Sequence, residues 1–261
     1  MRLLVAGADR VDAGKTTFAV GLCAHLDATG FKPRAGNDYW FDHDDYRRAV
    51  ESGRLYGADA RRLAAASPGD VTPEAINPIH RLWRPAPGGD GFIGPADRSF
   101  VLDRVGDGYV VNGNADVPPS AADALPLGEA PRASTIEELN RLMRKRHLPV
   151  LDALRDRIEA AERAVVESYG DVARPVRDLS FDRVAVVEPG RARIYDGERY
   201  ETACEVATGS PGDGRLEERV TDAVGPIDPL SNVDLPPLTA DERSDPVAIA
   251  EAYAQAYEAL V

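Results

Sequence analysis

Apolar and polar residues follow two different patterns along this chain of 261 residues. Residues 3–6 form an uninterrupted apolar run, which predicts a buried strand over residues 2–6, and residues 15–29 place apolar side chains at helical spacing. Two later runs, residues 163–168 and 183–188, are rich in valine and predict further buried strands, each with a glutamate near its end. This order of strands and helices, interrupted by an insertion, predicts an α/β fold: a mostly parallel, doubly wound sheet with helices on both faces.

The remaining segments predict a single domain over residues 1–261, with an inserted hairpin or lid region over residues 88–130. The hairpin itself is predicted at 99–112, where two β-rich runs flank Gly106-Asp107-Gly108. Residues 72–87 are rich in proline and have no clear period, which predicts an ordered loop. The other predicted elements are a short strand at 31–36, helices at 44–51 and 57–66, a helix that follows the capping box Ser134-Thr135-Ile136-Glu137, and a helix that begins at Pro149. They continue with a hairpin at 191–202 around Asp196-Gly197, a helix at 213–223, an outer strand at 223–227, a loop at 228–244 and a helix opened by Asp245-Pro246.

A candidate phosphate-binding loop, Gly7–Thr17, joins the first strand to the first helix. In this context the backbone N–H groups and the positive end of the helix dipole can hold phosphate oxygens. Lys15 would reach the β- and γ-phosphates, Thr16 would bind Mg²⁺, and Gly14 leaves room for the anion. The predicted nucleotide contacts are Asp9, Arg10, Val11, Asp12, Ala13, Gly14, Lys15, Thr16 and Thr17.

The loop departs from the common pattern, because position 9 holds Asp where a glycine is expected and Gly7 lies two residues upstream. An ordinary strand-to-helix turn with a surface lysine is the alternative interpretation. The position of the Gly-Lys-Thr triplet, after an apolar strand and before a helix, favours the nucleotide site.

Acidic residues outnumber basic residues by 44 to 31, which gives a net charge of −13. This balance argues against binding to nucleic acid or to an anionic membrane, since both need a basic surface. No apolar run is long enough for a membrane span and no cleavage site follows the start, which predicts a cytoplasmic protein. Lysine occurs only at positions 15, 32 and 145, as is typical of salt-adapted haloarchaeal proteins or of a GC-rich genome. Lys15 and Lys32 therefore indicate places that need a compact ammonium group.

Taken in order, these motifs resemble those of the dethiobiotin synthetase branch of the P-loop NTPases, in the class that includes the nitrogenase iron protein and the partition ATPases. The chain is also similar to an uncharacterised archaeal group described only as predicted P-loop ATPases or GTPases. In this chain Ser168-Tyr169 stand where the synthetases have glycines, the loop is one residue longer, and the hairpin at 99–112 is additional. The matching motifs are Gly14-Lys15-Thr16 at the loop, Lys32-Pro33 on the second strand, Asp59, Asn77-Pro78 with Pro85-Ala86-Pro87, and the strand that ends in Glu167.

The resemblance implies Mg²⁺-dependent phosphoryl transfer from ATP to a small carboxylate or carbamate, in which positioning and charge neutralisation supply most of the catalysis. ATP and Mg²⁺ are the implied cofactors, with Thr16, Asp59 and Glu167 as the metal ligands. Lys15 would neutralise the γ-phosphate and Lys32 would hold the substrate anion and the transferred phosphate. Asp12 would orient a nucleophile or water. No Asn-Lys-x-Asp guanine motif occurs in the sequence, which favours ATP over GTP.

Three functions stay open at this point. The first is an enzyme that activates a small anionic substrate as a mixed phosphate anhydride. The second is a regulatory ATPase or GTPase switch that acts as a homodimer on a protein partner, with Arg10 near the place where partition-type ATPases have a lysine that acts across the dimer. The third is a nucleotide-binding scaffold without catalysis. Residues 37–46, rich in aromatic and acidic side chains, are either a binding loop or a surface loop with its aromatics packed underneath. With the insertion, they favour an enclosed small-molecule site.

Overall fold

The structure is a computed structural model that describes residues 1–8, 14–87, 97–207 and 218–261. These residues form an α/β protein that divides into two compact units, each built around one mixed sheet. The first unit comprises Met1–Pro33, Arg62–Val71 and Arg155–Val261, and the second comprises Arg34–Arg61 and Thr72–Leu154. None of the helices within the described ranges is long and apolar enough to cross a bilayer.

The elements are numbered along the chain. The strands are β1 (Arg2–Gly7), β2 (Thr29–Phe31), β3 (Arg34–Asp38), β4 (Ile79–Pro85), β5 (Arg98–Val105), β6 (Gly108–Asn112), β7 (Arg132–Ala133), β8 (Ala164–Glu167), β9 (Arg183–Glu188), β10 (Arg191–Asp196) and β11 (Ser231–Asp234). The helices are α1 (Lys15–Leu26), α2 (His43–Glu51), α3 (Ala58–Ala66), α4 (Pro73–Ile76), α5 (Pro119–Ala124), α6 (Ile136–Leu142), α7 (Leu148–Ala160), α8 (Gly197–Ala207), α9 (Val220–Val224), α10 (Ala240–Ser244), α11 (Pro246–Ala252) and α12 (Ala254–Glu258), with a π-helical turn, Met143–His147, between α6 and α7.

The sheet of the first unit has the strand order β11-β10-β9-β1-β8-β2. β1 pairs in parallel with both β8 and β9, and β2 pairs in parallel with β8. β10 and β11 complete the sheet as antiparallel strands. The register places Val5 beside Glu167 and Gly7 beside Val187. The carboxyl ends of these parallel strands therefore meet at one edge of the sheet, where α1 begins.

The C-terminal helices hold α1 in place. A Cβ atom at Gly21 would lie 2.4 Å from Ile249 Cγ2 and 2.5 Å from the Tyr257 hydroxyl oxygen, so glycine is required where α11 and α12 approach α1. The Tyr257 hydroxyl donates a hydrogen bond to the Phe18 carbonyl oxygen at 2.9 Å. The Phe18 and Tyr257 rings meet edge to face with their centroids 4.9 Å apart, a favourable aromatic geometry. These contacts fix the start of α1 against the rest of the unit.

The sheet of the second unit has the order β3-β4-β5-β6-β7, with β5 and β6 joined as the predicted hairpin. One apolar cluster includes Tyr46, Leu102 and Val111. A second cluster includes Phe100 and Val110. β5 is buried from Phe100 to Val105 and contributes residues to both clusters, so both faces of the sheet are buried. The sequence predicted a single domain with an insertion at 88–130. The described residues instead form two units, and residues 88–96 of the predicted insertion lie outside the described ranges.

The prediction of a loop at 72–87 was wrong. This segment contains α4 and then β4, an interior strand that pairs with β3 on one side and β5 on the other. Pro78 precedes the strand and Pro85 is its last residue, so neither proline removes a donor from the middle of the ladder. The periodicity was unclear because β4 is buried on both faces, including His80, which is fully buried.

Three further predictions failed in the C-terminal third. β9 and β10 form the hairpin around Pro189-Gly190, whereas Asp196-Gly197 opens α8: an oxygen of the Asp196 side chain accepts a hydrogen bond from the Arg199 N–H. An Asp-Gly pair fits a hairpin turn and a helix start equally well, and sequence alone cannot separate them.

The outer strand predicted at 223–227 is absent there. The edge strand is β11, in the segment predicted as a loop, and its pattern is faint because only Val233 is buried. Of the helix predicted at 213–223, residues 213–217 lie outside the described ranges, residues 218–219 are not helical, and α9 covers residues 220–223.

Gly197 begins α8 beside the carbonyl group of Phe181. A Cβ atom at this position would lie 1.6 Å from the Phe181 carbonyl oxygen, so the backbone would have to move. Gly197→Ala is therefore expected to lower the free energy of unfolding by about 2 kcal/mol, as overpacking does at well-packed positions. Urea denaturation followed by circular dichroism measures the change. Gly128→Ala is the control, because a Cβ atom there meets no atom within 4 Å. Equal stability of the two variants would contradict this expectation.

Candidate functional site

Gly14 and Lys15 are the described residues of the candidate phosphate-binding loop that lie at the start of α1. Gly14, immediately before α1, has a φ of 82° in the left-handed region, which a residue with a Cβ atom adopts only at a cost. Lys15 is 8% exposed and its side chain lies over Gly7. A Cβ atom at Gly7 would be 2.8 Å from the Lys15 Nζ atom. The Lys15 side chain therefore crosses position 7 closely enough that a Cβ atom there would displace it, which the sequence pattern did not indicate.

Glu167 is the centre of the site in the first unit. Its side chain is fully buried at the end of β8. The Thr16 hydroxyl donates a hydrogen bond to Glu167 Oε1 at 2.7 Å, and the Lys32 Nζ atom donates to the same oxygen at 2.5 Å. Lys32 is itself only 4% exposed. A buried carboxylate needs such partners, because its desolvation is otherwise very costly.

The sheet register explains how Lys32 and Glu167 meet. β2 and β8 are parallel, and Phe31 lies beside Val166. Lys32 follows Phe31 directly, and Glu167 follows Val166 directly. Both side chains therefore lie at the same edge of the sheet. Thr16 reaches this edge from the first turn of α1. Of the predicted site residues, the structure thus brings together Thr16, Lys32 and Glu167.

Cys23 lies on the buried face of α1, and its thiol is fully buried. Burial raises the pKa of this thiol above its ordinary value, and the negative charge of Glu167 raises it further. The thiol therefore stays protonated at neutral pH. Since the thiolate is the nucleophilic form of cysteine, Cys23 is a packing residue and supplies no nucleophile to the site.

Arg62 is a cation near the start of α1 that the sequence analysis missed. Its Nη2 atom lies 3.4 Å from the Thr17 hydroxyl and donates a hydrogen bond to the Arg243 carbonyl oxygen at 2.8 Å. Thr17 is one of the predicted nucleotide contacts. No sequence signal could identify Arg62, because it lies among the alanines and arginines of an ordinary amphipathic helix.

The donor set in the first unit fits a magnesium ion. The Thr16 hydroxyl and the Glu167 carboxylate are hard oxygen ligands 2.7 Å apart, and Mg²⁺ prefers oxygen ligands while keeping several of its waters. Within the part of the chain that the structure describes, no cluster of three or more His, Cys, Asp or Glu side chains could by itself enclose a metal ion.

Comparisons of the chain with protein-family models, curated proteins and solved structures found no significant match.

Asp59, the third predicted metal ligand, belongs to the second unit and is half-buried in the first turn of α3. It lines a cavity of about 430 Å³ with three other aspartates, Asp42, Asp44 and Asp45. Burial raises the pKa of Asp42, and the nearby negative charges of Asp38, Asp45 and Asp59 add to this effect, although a hydrogen bond from the Asp38 backbone opposes it. The role of Asp59 as a metal ligand stays a prediction.

The aromatic segment 37–46 is partly a surface loop and partly core. Tyr39 packs against the first apolar cluster, whereas Trp40 is 72% exposed and Phe41 is 76% exposed. The two exposed rings are not tucked beneath the loop. They line a cavity of about 580 Å³ together with Tyr39, Arg84, Pro85, Asp116, Val117, Pro118 and Pro119.

Five of the predicted nucleotide contacts, Asp9, Arg10, Val11, Asp12 and Ala13, lie outside the described residues. The catalytic role of Asp12 and the role of Arg10 in a dimer therefore stay predictions.

Proposed function

We propose that this chain binds Mg-ATP at the N-terminal end of α1 and transfers the γ-phosphoryl group to a small carboxylate or carbamate. The observation that carries this proposal is the convergence of Thr16 and Lys32 on one oxygen of the buried Glu167 side chain. This convergence lies at the sheet edge where Gly7 ends β1 and Gly14 precedes α1. Hydroxyl, ammonium and carboxylate groups at a helix start are the components of a metal-nucleotide site.

The topology of the first unit supports a P-loop type of fold. β9, β1, β8 and β2 are neighbouring parallel strands, and β1 leads into the loop before α1. In open α/β sheets, ligands bind beyond the carboxyl ends of the parallel strands. The antiparallel strands β10 and β11 lie at one side of the sheet, so they do not separate the parallel strands whose carboxyl ends meet at this edge.

Each group at the edge has a distinct task in the proposed reaction. Lys15 and the helix start neutralise the phosphates, which is the main contribution to phosphoryl transfer. Thr16 and Glu167 would hold Mg²⁺, directly or through water, and the bound ion would supply charge neutralisation for the phosphates. Lys32 holds the anionic acceptor. Asp12 would add an orienting base.

The test is release of ADP from Mg-ATP, measured against a panel of small carboxylates and amines in molar KCl. We expect release to depend on one class of carboxylate and to saturate with it. Lys145→Ala should turn over ATP as the unaltered chain does, because Lys145 is exposed and belongs to the second unit. Absence of Mg-ATP binding by calorimetry would refute the proposal.

The regulatory switch is distinguished in the same experiment. Hydrolysis that needs no carboxylate and whose specific rate rises with protein concentration would favour a dimeric ATPase or GTPase over the ligase-type enzyme. Repeating the measurement with Mg-GTP separates the two nucleotides.

A further inference from the structure

We propose that the Lys32 ammonium group occupies the cation position beside Glu167 until a divalent metal ion displaces it, so that metal binding releases Lys32 for the substrate. The inference deepens the proposed function and rests on it for the identity of the anion that the released lysine meets. It concerns one event, the exchange of two cations on one buried carboxylate.

The geometry places the two cations in competition. Thr16 and Lys32 both donate to Glu167 Oε1, at 2.7 Å and 2.5 Å. An ion held by the Thr16 hydroxyl and the Glu167 carboxylate would approach the oxygen that the ammonium contacts. A doubly charged ion and an ammonium group at this distance repel each other strongly in a buried site, because the effective dielectric constant is low.

Burial explains why one cation must always be present. The Glu167 side chain is fully buried and Lys32 is 4% exposed. A buried carboxylate without a counter-charge is strongly destabilising. Lys32 supplies the counter-charge when no metal is bound, and the metal ion supplies it afterwards. Glu167 therefore has a counter-charge with and without the metal ion, but Lys32 is that counter-charge only when no metal is bound.

The lysine side chain is suited to this exchange. Its ammonium group is a point charge on a flexible chain of four carbons, so it can leave one anion and reach another without moving the backbone. Pro33 follows Lys32 directly and restricts the backbone at this position. Thermodynamic linkage makes the coupling reciprocal: a metal ion that releases Lys32 must bind more tightly when Lys32 is absent.

The first experiment follows Lys32 in the unaltered chain by acylation with an amine-reactive ester and mass spectrometry. The chain has three lysines, at positions 15, 32 and 145, so each labelling rate can be resolved, and exposed Lys145 is the internal standard. With Mg²⁺ alone and no nucleotide, we expect the rate at Lys32, relative to Lys145, to rise about 10-fold, within the range of ordinary coupling between sites. An unchanged ratio at saturating Mg²⁺ would overturn the inference.

The second experiment measures Mn²⁺ affinity without nucleotide, from the electron paramagnetic resonance signal of the free ion. Lys32→Met should bind Mn²⁺ about 10-fold more tightly than the unaltered chain, because the competing ammonium is gone. Lys145→Met is the matched control and should not change the affinity. Equal or weaker binding by Lys32→Met would count against the exchange. Should Lys32→Met fail to fold, the labelling of the unaltered chain decides the matter.

The two experiments also separate this inference from the proposed function, since both use the metal alone. If Lys32 responds to Mg²⁺ while ATP is neither bound nor turned over, the exchange stands and the proposed function fails. If ATP is turned over while Lys32 does not respond, the proposed function stands and the exchange fails.

Discussion

Under the proposed function, replacing Lys15 with alanine is expected to lower ATP turnover on the order of 10³-fold, because the group proposed to neutralise the transferred phosphate is lost. The Lys15 side chain is buried and lies over Gly7, with a rigid strand end on one side and the helix start on the other. No other lysine is available from this element, so no neighbour can replace the charge. Steady-state ADP release, with the carboxylate that supports turnover, measures the loss.

Two companion variants sharpen this prediction. Lys15→Arg keeps the charge, but the space above Gly7 holds a slender aliphatic chain and not a planar guanidinium, so turnover should stay low. Lys145→Ala removes a lysine with no role in the site and should leave turnover unaltered. Full activity in Lys15→Ala would remove the assignment of the loop as a nucleotide site.

Asp103→Ala is expected to lower the free energy of unfolding of the second unit by about 3–5 kcal/mol, the usual cost of breaking a buried ion pair. Asp103 is fully buried and accepts two hydrogen bonds from the Arg81 guanidinium, both at 2.7 Å. It also bonds to His147 Nε2 at 2.9 Å. The Arg81 guanidinium lies over the Phe100 ring, so loss of the carboxylate disturbs an ion pair inside the apolar core. Urea denaturation of the purified chain measures the effect.

The same ion pair gives the stability a defined pH dependence. Burial would raise the pKa of Asp103, but the charge and hydrogen bonds of Arg81, together with His147, outweigh it and lower the pKa to about 2. The ordinary value is 3.8, so the folded chain favours the ionised form. The resulting stability is complete above pH 3.8 and is lost as the pH falls toward 2, by roughly 2 kcal/mol. In Asp103→Ala this part of the acid sensitivity should be missing.

A surface ion pair in the same unit provides the control. Arg47 and Glu51 form a pair one helical turn apart, and both side chains are more than half exposed. Glu51→Ala should change the free energy of unfolding by less than about 1 kcal/mol, because solvent screens such pairs. A similar small loss in Asp103→Ala would show that the buried pair contributes little to the stability of this unit.

Local signals in the sequence were sufficient for much of the first unit. The apolar run at 3–6, the Gly-Lys-Thr triplet and the valine-rich strand ending in Glu167 predicted β1, α1 and β8. Each of these elements is a single continuous segment of the sequence, and its buried side chains give a clear pattern of apolar residues. Parallel pairing of β2 with β8 then brings Lys32 to Glu167, which is consistent with the predicted metal and substrate roles of these residues without testing them.

What the sequence could not show depends on contacts between distant residues. Gly7 was interpreted as a departure from the usual loop pattern, because nothing local indicates that the Lys15 side chain crosses it. Arg62 reaches Thr17 through the tertiary fold alone. The division into two units was missed for a related reason: Asp59 lies in the second unit although Arg62, only three residues later, lies in the first. No change in composition marks this boundary.

The placement of the two tryptophans has a practical consequence for studies of folding. Trp40 and Trp83 both belong to the second unit, one largely exposed and the other 7% exposed beside the Arg81 guanidinium. Intrinsic tryptophan fluorescence therefore reports on the second unit and is silent about the sheet that carries Lys15 and Glu167. A soluble quencher separates the emission of Trp40 from that of Trp83. Following the first unit requires another optical label, and its described residues offer two buried thiols that only unfolding would uncover.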